Sequence, residues 1–74
     1  MNTKRVEIET EFIRLDSLLK LAGLAETGGH AKVMIQGGEF MLNGAVCTER
    51  GKKIRPGDMV TARDGSQAIE VAAI

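Results

Sequence analysis

Between Ala31 and Gly44 a helical period stops at paired glycines and gives way to an alternating run and an Asn-Gly turn. Ala31, Met34 and Ile35 stand at i, i+3 and i+4, so they share one helix face. Gly37-Gly38 end that helix by supplying positive φ at low cost. Phe40 and Leu42 then point to one side of an extended segment and Met41 to the other. Both central positions of a two-residue type I′ turn need φ > 0, which Asn43-Gly44 tolerate best. The segment therefore predicts a helix feeding a β-hairpin.

The flanking sequence supplies the remaining elements. Val6 to Thr10 alternates apolar and polar residues, the signature of a short edge strand with one buried face. Leu15, Leu18, Leu19 and Ala22 form an amphipathic helical stripe that Gly23 ends. Leu24-Ala25-Glu26 leads to Thr27, an N-cap for the second helix, whose first turn is weakened by Gly28 and Gly29. Two short helices joined by so tight a link pack together. After the Asn-Gly turn, Ala45 to Thr48 reads as the returning strand and Glu49 to Arg55 as a connection anchored by Ile54. Arg55-Pro56-Gly57-Asp58 fits a type II turn, with Pro presetting φ at the second position and Gly accepting positive φ at the third. Met59 to Ala62 is a strand, Asp64-Gly65 a turn, and Gln67 to Val71 a last strand with Ile69 and Val71 on one face. The expected fold is α+β, two short packed helices followed by a small, mostly antiparallel sheet, in one domain spanning residues 1–74.

At 74 residues the core is thin, since folding at this size buries only about 60% of the unfolded chain's surface. Phe12 and Phe40 are the only aromatics, so Leu, Ile, Val and Met supply the packing. The N-terminal residues lead into an acidic alternating segment rather than an apolar signal region, and no run is long enough to cross a membrane. A single Cys47 cannot form an internal disulfide, which in so small a domain fits a reducing compartment. These features predict a soluble cytoplasmic protein.

Ten basic and ten acidic residues cancel, yet they are unevenly spread. Glu7, Glu9, Glu11 and Asp16 crowd the first quarter, whereas Arg50, Lys52, Lys53 and Arg55 fall in six residues free of acid. A neutral chain can still carry a basic face.

Arg14-Leu15-Asp16, Ala31 with Met34-Ile35, Gly38, Asn43-Gly44 and Pro56-Gly57-Asp58 together resemble the RNA-binding domain named after small-subunit ribosomal protein S-four, also called the alpha-L motif. The resemblance covers about residues 8–62. The stand-alone bacterial members of the YaaA and YbcJ type are similar also in Leu18-Leu19-Lys20-Leu21-Ala22, in Gly28-Gly29 with Ala31-Lys32, and in Arg50-Gly51-Lys52-Lys53. The resemblance implies a non-catalytic domain that binds structured RNA, ribosomal or tRNA-like, or a ribosomal subunit, through the two helices and the adjoining hairpin. It implies a role in ribosome assembly. Typical members carry Ser-Arg at the start of the second helix, where this chain has Thr27-Gly28.

Arg50, Lys52, Lys53 and Arg55 are the leading candidates for phosphate contact, because cations that neutralise phosphates release condensed counterions. The competing reading is a solvated loop. Arg14, Lys20 and Lys32, placed on the two helices, either extend the patch or stand idle in solvent. Gly28 and Gly29 expose backbone N–H groups that, with the helix dipole, can receive a phosphate; the alternative is a flexible helix entry. His30, near the same helix start, is a donor to phosphate or a base edge, or an idle exposed side chain. Cys47 reads as a small buried hydrophobe, and one His with one Cys makes neither a catalytic dyad nor a metal site. No cofactor is expected. Without Tyr or Trp, and with neither Phe reading as exposed, recognition should go through backbone and shape.

Two other readings differ in class. Leu42-Asn43-Gly44 with Gly57-Asp58-Met59-Val60 also resembles small β-grasp sulfur carriers, which need a C-terminal Gly-Gly where this sequence has Val71-Ala72-Ala73-Ile74. A protein-interaction module using the same surface is the second. The expected state is a monomer.

Overall fold

A computed structural model describes residues 2–74. Nine elements follow one another: β1 (Asn2–Ile8), β2 (Ile13–Arg14), α1 (Leu15–Leu21), α2 (Gly28–Gln36), β3 (Phe40–Leu42), β4 (Ala45–Val46), β5 (Lys53–Ile54), β6 (Met59–Ala62) and β7 (Gln67–Ala73). Five strands form one sheet in the order β1-β7-β6-β3-β4, and β2 and β5 make a separate two-stranded ribbon. The large sheet is antiparallel except where β1 lies parallel to β7, with Val6 beside Val71. The α+β architecture and the mostly antiparallel sheet agree with the sequence reading.

Both helices end as their glycines require. Gly23 and Gly38 have φ of 79° and 76°, the left-handed conformation that costs glycine least. After α2, Gly38 N–H donates to Ile35 O at 3.0 Å and Glu39 N–H to Met34 O at 3.2 Å, which satisfies carbonyls left open by the last turn. Gly37 has an ordinary φ of −77°, so of the expected glycine pair only Gly38 uses its freedom. At the other end of α2 the Thr27 hydroxyl accepts from His30 N–H at 3.0 Å, the expected N-cap.

The start of α1 is closed differently. Arg14 makes no side-chain cap there. Instead Leu15 N–H donates to Lys52 O at 2.9 Å and Asp16 N–H to Arg50 O at 3.0 Å, so a distant loop satisfies the first turn. The loop and the helix therefore hold each other.

Packing follows the apolar stripes. Leu18, Leu19, Ala31, Ile35 and Ile54 are each 0% exposed, and Leu15, Val60, Ile69 and Val71 join them between helices and sheet. Fully burying a Leu or Ile side chain contributes about 1.5–3 kcal/mol, so this small group carries much of the stability. Phe40 belongs to the same cluster.

Two turns fix the strand register. Asn43 and Gly44 both have positive φ, 50° and 89°, as the type I′ geometry demands. Gly57 has φ of 97°, and Asp58 N–H closes the Pro-Gly turn onto Arg55 O at 2.9 Å. Asn43 then links the two, its Nδ2 donating to Asp58 Oδ1 at 3.0 Å and its Oδ1 accepting from Met59 N–H at 2.9 Å.

The structure departs from expectation in strand extent. β1 begins at Asn2 and stops at Ile8, so Glu9 and Thr10 lie outside it. β4 is only Ala45–Val46, although Cys47 N–H still reaches Phe40 O at 3.0 Å. Lys53–Ile54, read as connection, is a strand, because Ile13 and Ile54 pair across the ribbon with Ile54 facing the core.

Candidate nucleic-acid interface

The β2–β5 ribbon sorts its side chains by alternation. Ile13 and Ile54 oppose each other, Ile54 buried and Ile13 packed on the core. The next pair, Arg14 and Lys53, must then share the opposite face, which looks to solvent. Lys53 Nζ lies 4.9 Å from the centroid of the Phe12 ring on this side. Lys52, in the adjoining loop, and Arg55, two residues beyond Lys53, are exposed as well. Arg14 was expected on a helix; it lies instead on the ribbon, as the residue before α1.

Arg50 occupies a different position, between the starts of the two helices. Its Nε donates to Asp16 Oδ2 at 2.9 Å, and its Nη2 lies 3.5 Å from Gly28 O. Arg14 Nη2 donates to the same Asp16 oxygen at 3.1 Å, while Asp16 Oδ1 accepts from Ser17 N–H at 2.8 Å. Asp16 is only 4% exposed. Burial alone would raise its pKa, but the hydrogen bonds from Arg50 and Ser17 and the charges of both arginines prevail and hold the carboxyl below its ordinary range. An ionised carboxylate thus organises two of the candidate cations.

Asp58 plays a lesser part in the same region. The Arg55 N–H and the Asn43 amide lower its pKa, helped by the charges of Arg55 and Lys52. Its Oδ2 accepts from Arg55 N–H at 2.8 Å, which holds Arg55 at the turn. Among the described residues, Lys52, Lys53 and Arg55 are in no ion pair with a carboxylate, since the three pairs present are Arg5–Glu70, Arg14–Asp16 and Arg50–Asp16.

The other candidates are spread along the helices. Gly28 and Gly29 form the first turn of α2, and His30 follows them with Nδ1 accepting from Glu26 N–H at 3.3 Å. Lys32 is exposed one turn on, and Lys20 is exposed in the last turn of α1. Cys47 is half-buried, its Sγ 3.8 Å from Glu49 O.

Comparison with known proteins decides the family. The model of the S4 domain matches residues 6–72, beyond the span over which individual motifs were recognisable. The chain belongs to the S4 domain family. A curated protein of Bacillus subtilis (strain 168), described as the probable ribosome maturation protein RlbA, is 38% identical over 55 residues, 74% of this chain and 78% of that protein. The match favours an S4 domain over a β-grasp sulfur carrier.

Within this S4 domain the Gly28 position has a particular neighbour. A Cβ placed at Gly28 would stand 3.5 Å from Arg50 Nη2. The guanidinium of Arg50 therefore brings a cation to the start of α2. Two residues of the region escaped sequence reasoning. Asp16 counts in the sequence as a crowding acid and as part of the Arg14-Leu15-Asp16 motif, with no role of its own, although its place in the first turn beside Arg14 was the available signal. Lys4, on β1, donates from Nζ to Ala22 O at 2.6 Å and so closes α1's C-terminus; nothing local in the sequence marks it.

Proposed function

We propose that this S4 domain is a non-catalytic RNA-binding protein of the bacterial cytoplasm, acting as a monomer on structured RNA, either ribosomal RNA or a ribosomal particle. The observation that carries this reading is the ribbon face, where Arg14 and Lys53 stand side by side with Lys52 and Arg55 close in sequence and no carboxylate pairs the last three. Lys and Arg gathered on one face of a short ribbon can neutralise neighbouring phosphates of a backbone. Arg50, Gly28, Gly29 and His30 extend the surface to the start of α2, and Lys20 and Lys32 lie along the helices. The ribosome maturation role in the name of the Bacillus relative supports a ribosomal RNA target.

The described residues hold no group of three or more His, Cys, Asp or Glu placed to bind a metal, and His30 lies on α2 whereas Cys47 follows β4 in a loop. The test is salt dependence of binding to ribosomal RNA fragments. With about four phosphate contacts, log affinity against log salt has a slope near −3 to −4. A flat dependence rejects the phosphate reading and favours a protein partner.

A further inference from the structure

The chain has two aromatic residues, and they are used differently. Phe40 is 5% exposed and sits in the core. Phe12 is half-buried and stands outside the core cluster and the side chains packed against it, although its neighbour Ile13 packs there. Its ring instead lies under the Lys53 ammonium, on the face that also carries Arg14. An aromatic ring is thus held beside cations, with an exposed lysine over one face.

We infer that Phe12 is a stacking platform for one unpaired nucleobase, which takes the place of Lys53 over the ring. The inference rests on the RNA-binding reading and deepens it by naming the kind of RNA. A base stacked on an aromatic ring is bound more strongly than an exposed ammonium, so the exchange is favourable. The displaced Lys53 remains among phosphates, where it neutralises one of them. Bases inside an uninterrupted A-form duplex are stacked on each other and cannot reach the ring, whereas a bulged or loop nucleotide can. The ligand is therefore structured RNA with an unpaired nucleotide beside a helical backbone. Recognition through backbone and shape alone is not the whole account.

The test uses the full chain with two synthetic RNAs, a short duplex and the same duplex carrying one bulged 2-aminopurine. The wild type should bind both, the bulged RNA about tenfold more tightly, with a change in 2-aminopurine fluorescence. Phe12→Leu should remove the preference and the fluorescence change while leaving the salt slope intact, and Phe12→Trp should restore both. Equal affinity of the wild type for the two RNAs overturns the platform and leaves the phosphate reading standing. If Phe12→Leu instead weakens both RNAs equally and lowers thermal stability, the Phe12–Lys53 contact only braces the ribbon and the platform is overturned. Absence of salt-dependent binding to either RNA overturns both readings.

Discussion

Arg50 Nε donates to Asp16 Oδ2 at 2.9 Å across a sequence separation of 34 residues. That bond joins the basic loop to the first turn of α1, and the same guanidinium lies against Gly28 at the start of α2. A cation expected to meet phosphate is thereby also a strut between the helices. Its removal should affect both folding and binding.

Asp16→Ala should destabilise the fold by about 2–3 kcal/mol, because it leaves Arg50 and Arg14 without the acceptor they share. Urea unfolding monitored by circular dichroism measures this. A change under about 0.5 kcal/mol, the range of an ordinary surface substitution, would contradict the structural role.

The same carboxylate sets a pH dependence. Its folded-state pKa lies below the unfolded value of about 3.9, so it contributes stability above that value and loses it as pH falls through the folded pKa. The wild-type melting temperature should drop as acid takes the protein below about pH 4. Asp16→Asn should begin lower at neutral pH and show a shallower acid limb. The limb should not vanish, since Asp58 is shifted in the same direction. An unchanged limb in Asp16→Asn would remove Asp16 as its source.

Asn43 does two jobs that substitutions can separate. Asn43→Gly keeps the positive φ but loses the bonds to Asp58 and Met59, and should cost about 1 kcal/mol. Asn43→Ala loses the bonds and also strains the left-handed backbone, and should cost about 1 kcal/mol more. Thermal melts of the two variants give the difference; equal losses would mean that the turn relaxes around alanine.

Lys52→Glu combined with Lys53→Glu should abolish RNA binding. Both side chains are exposed, the bond that Lys52 makes to α1 comes from its backbone carbonyl, and Lys53 loses only its contact with the Phe12 ring, so stability should fall by no more than about 1 kcal/mol. Filter binding and a thermal melt on one preparation suffice. Loss of folding would show that the run is structural.

The reach of sequence reasoning here depends on how far apart the partners are. Gly23, Thr27, Gly38, Asn43-Gly44 and Met59–Ala62 behave as read, because turns, caps and alternation are decided within a few residues. The ribbon was not legible. Its strands are two residues each, too short for a period, and Ile13 meets Ile54 only after both helices and the hairpin have intervened. The basic run was visible as composition, whereas its division into exposed Lys52, Lys53 and Arg55 and a half-buried Arg50 was not. Asp16 was hidden for the same reason, since a carboxylate in a first turn reads as solvated until a distant guanidinium covers it.

By itself, the sequence determined the succession of the two helices and the strands outside the ribbon, the helix stops and the hairpin register, all set by glycine conformations, one cap and apolar spacing over short range. The tertiary structure alone decided that Arg50 and Lys52 cap α1 through their carbonyls, that Asp16 is buried and ionised, and that Phe12 lies among cations outside the core. Each of these needs two segments brought together by burial of Leu18, Leu19, Ile35 and Ile54. Apolar burial is not directional, so no local pattern announces which polar groups it will bring into contact.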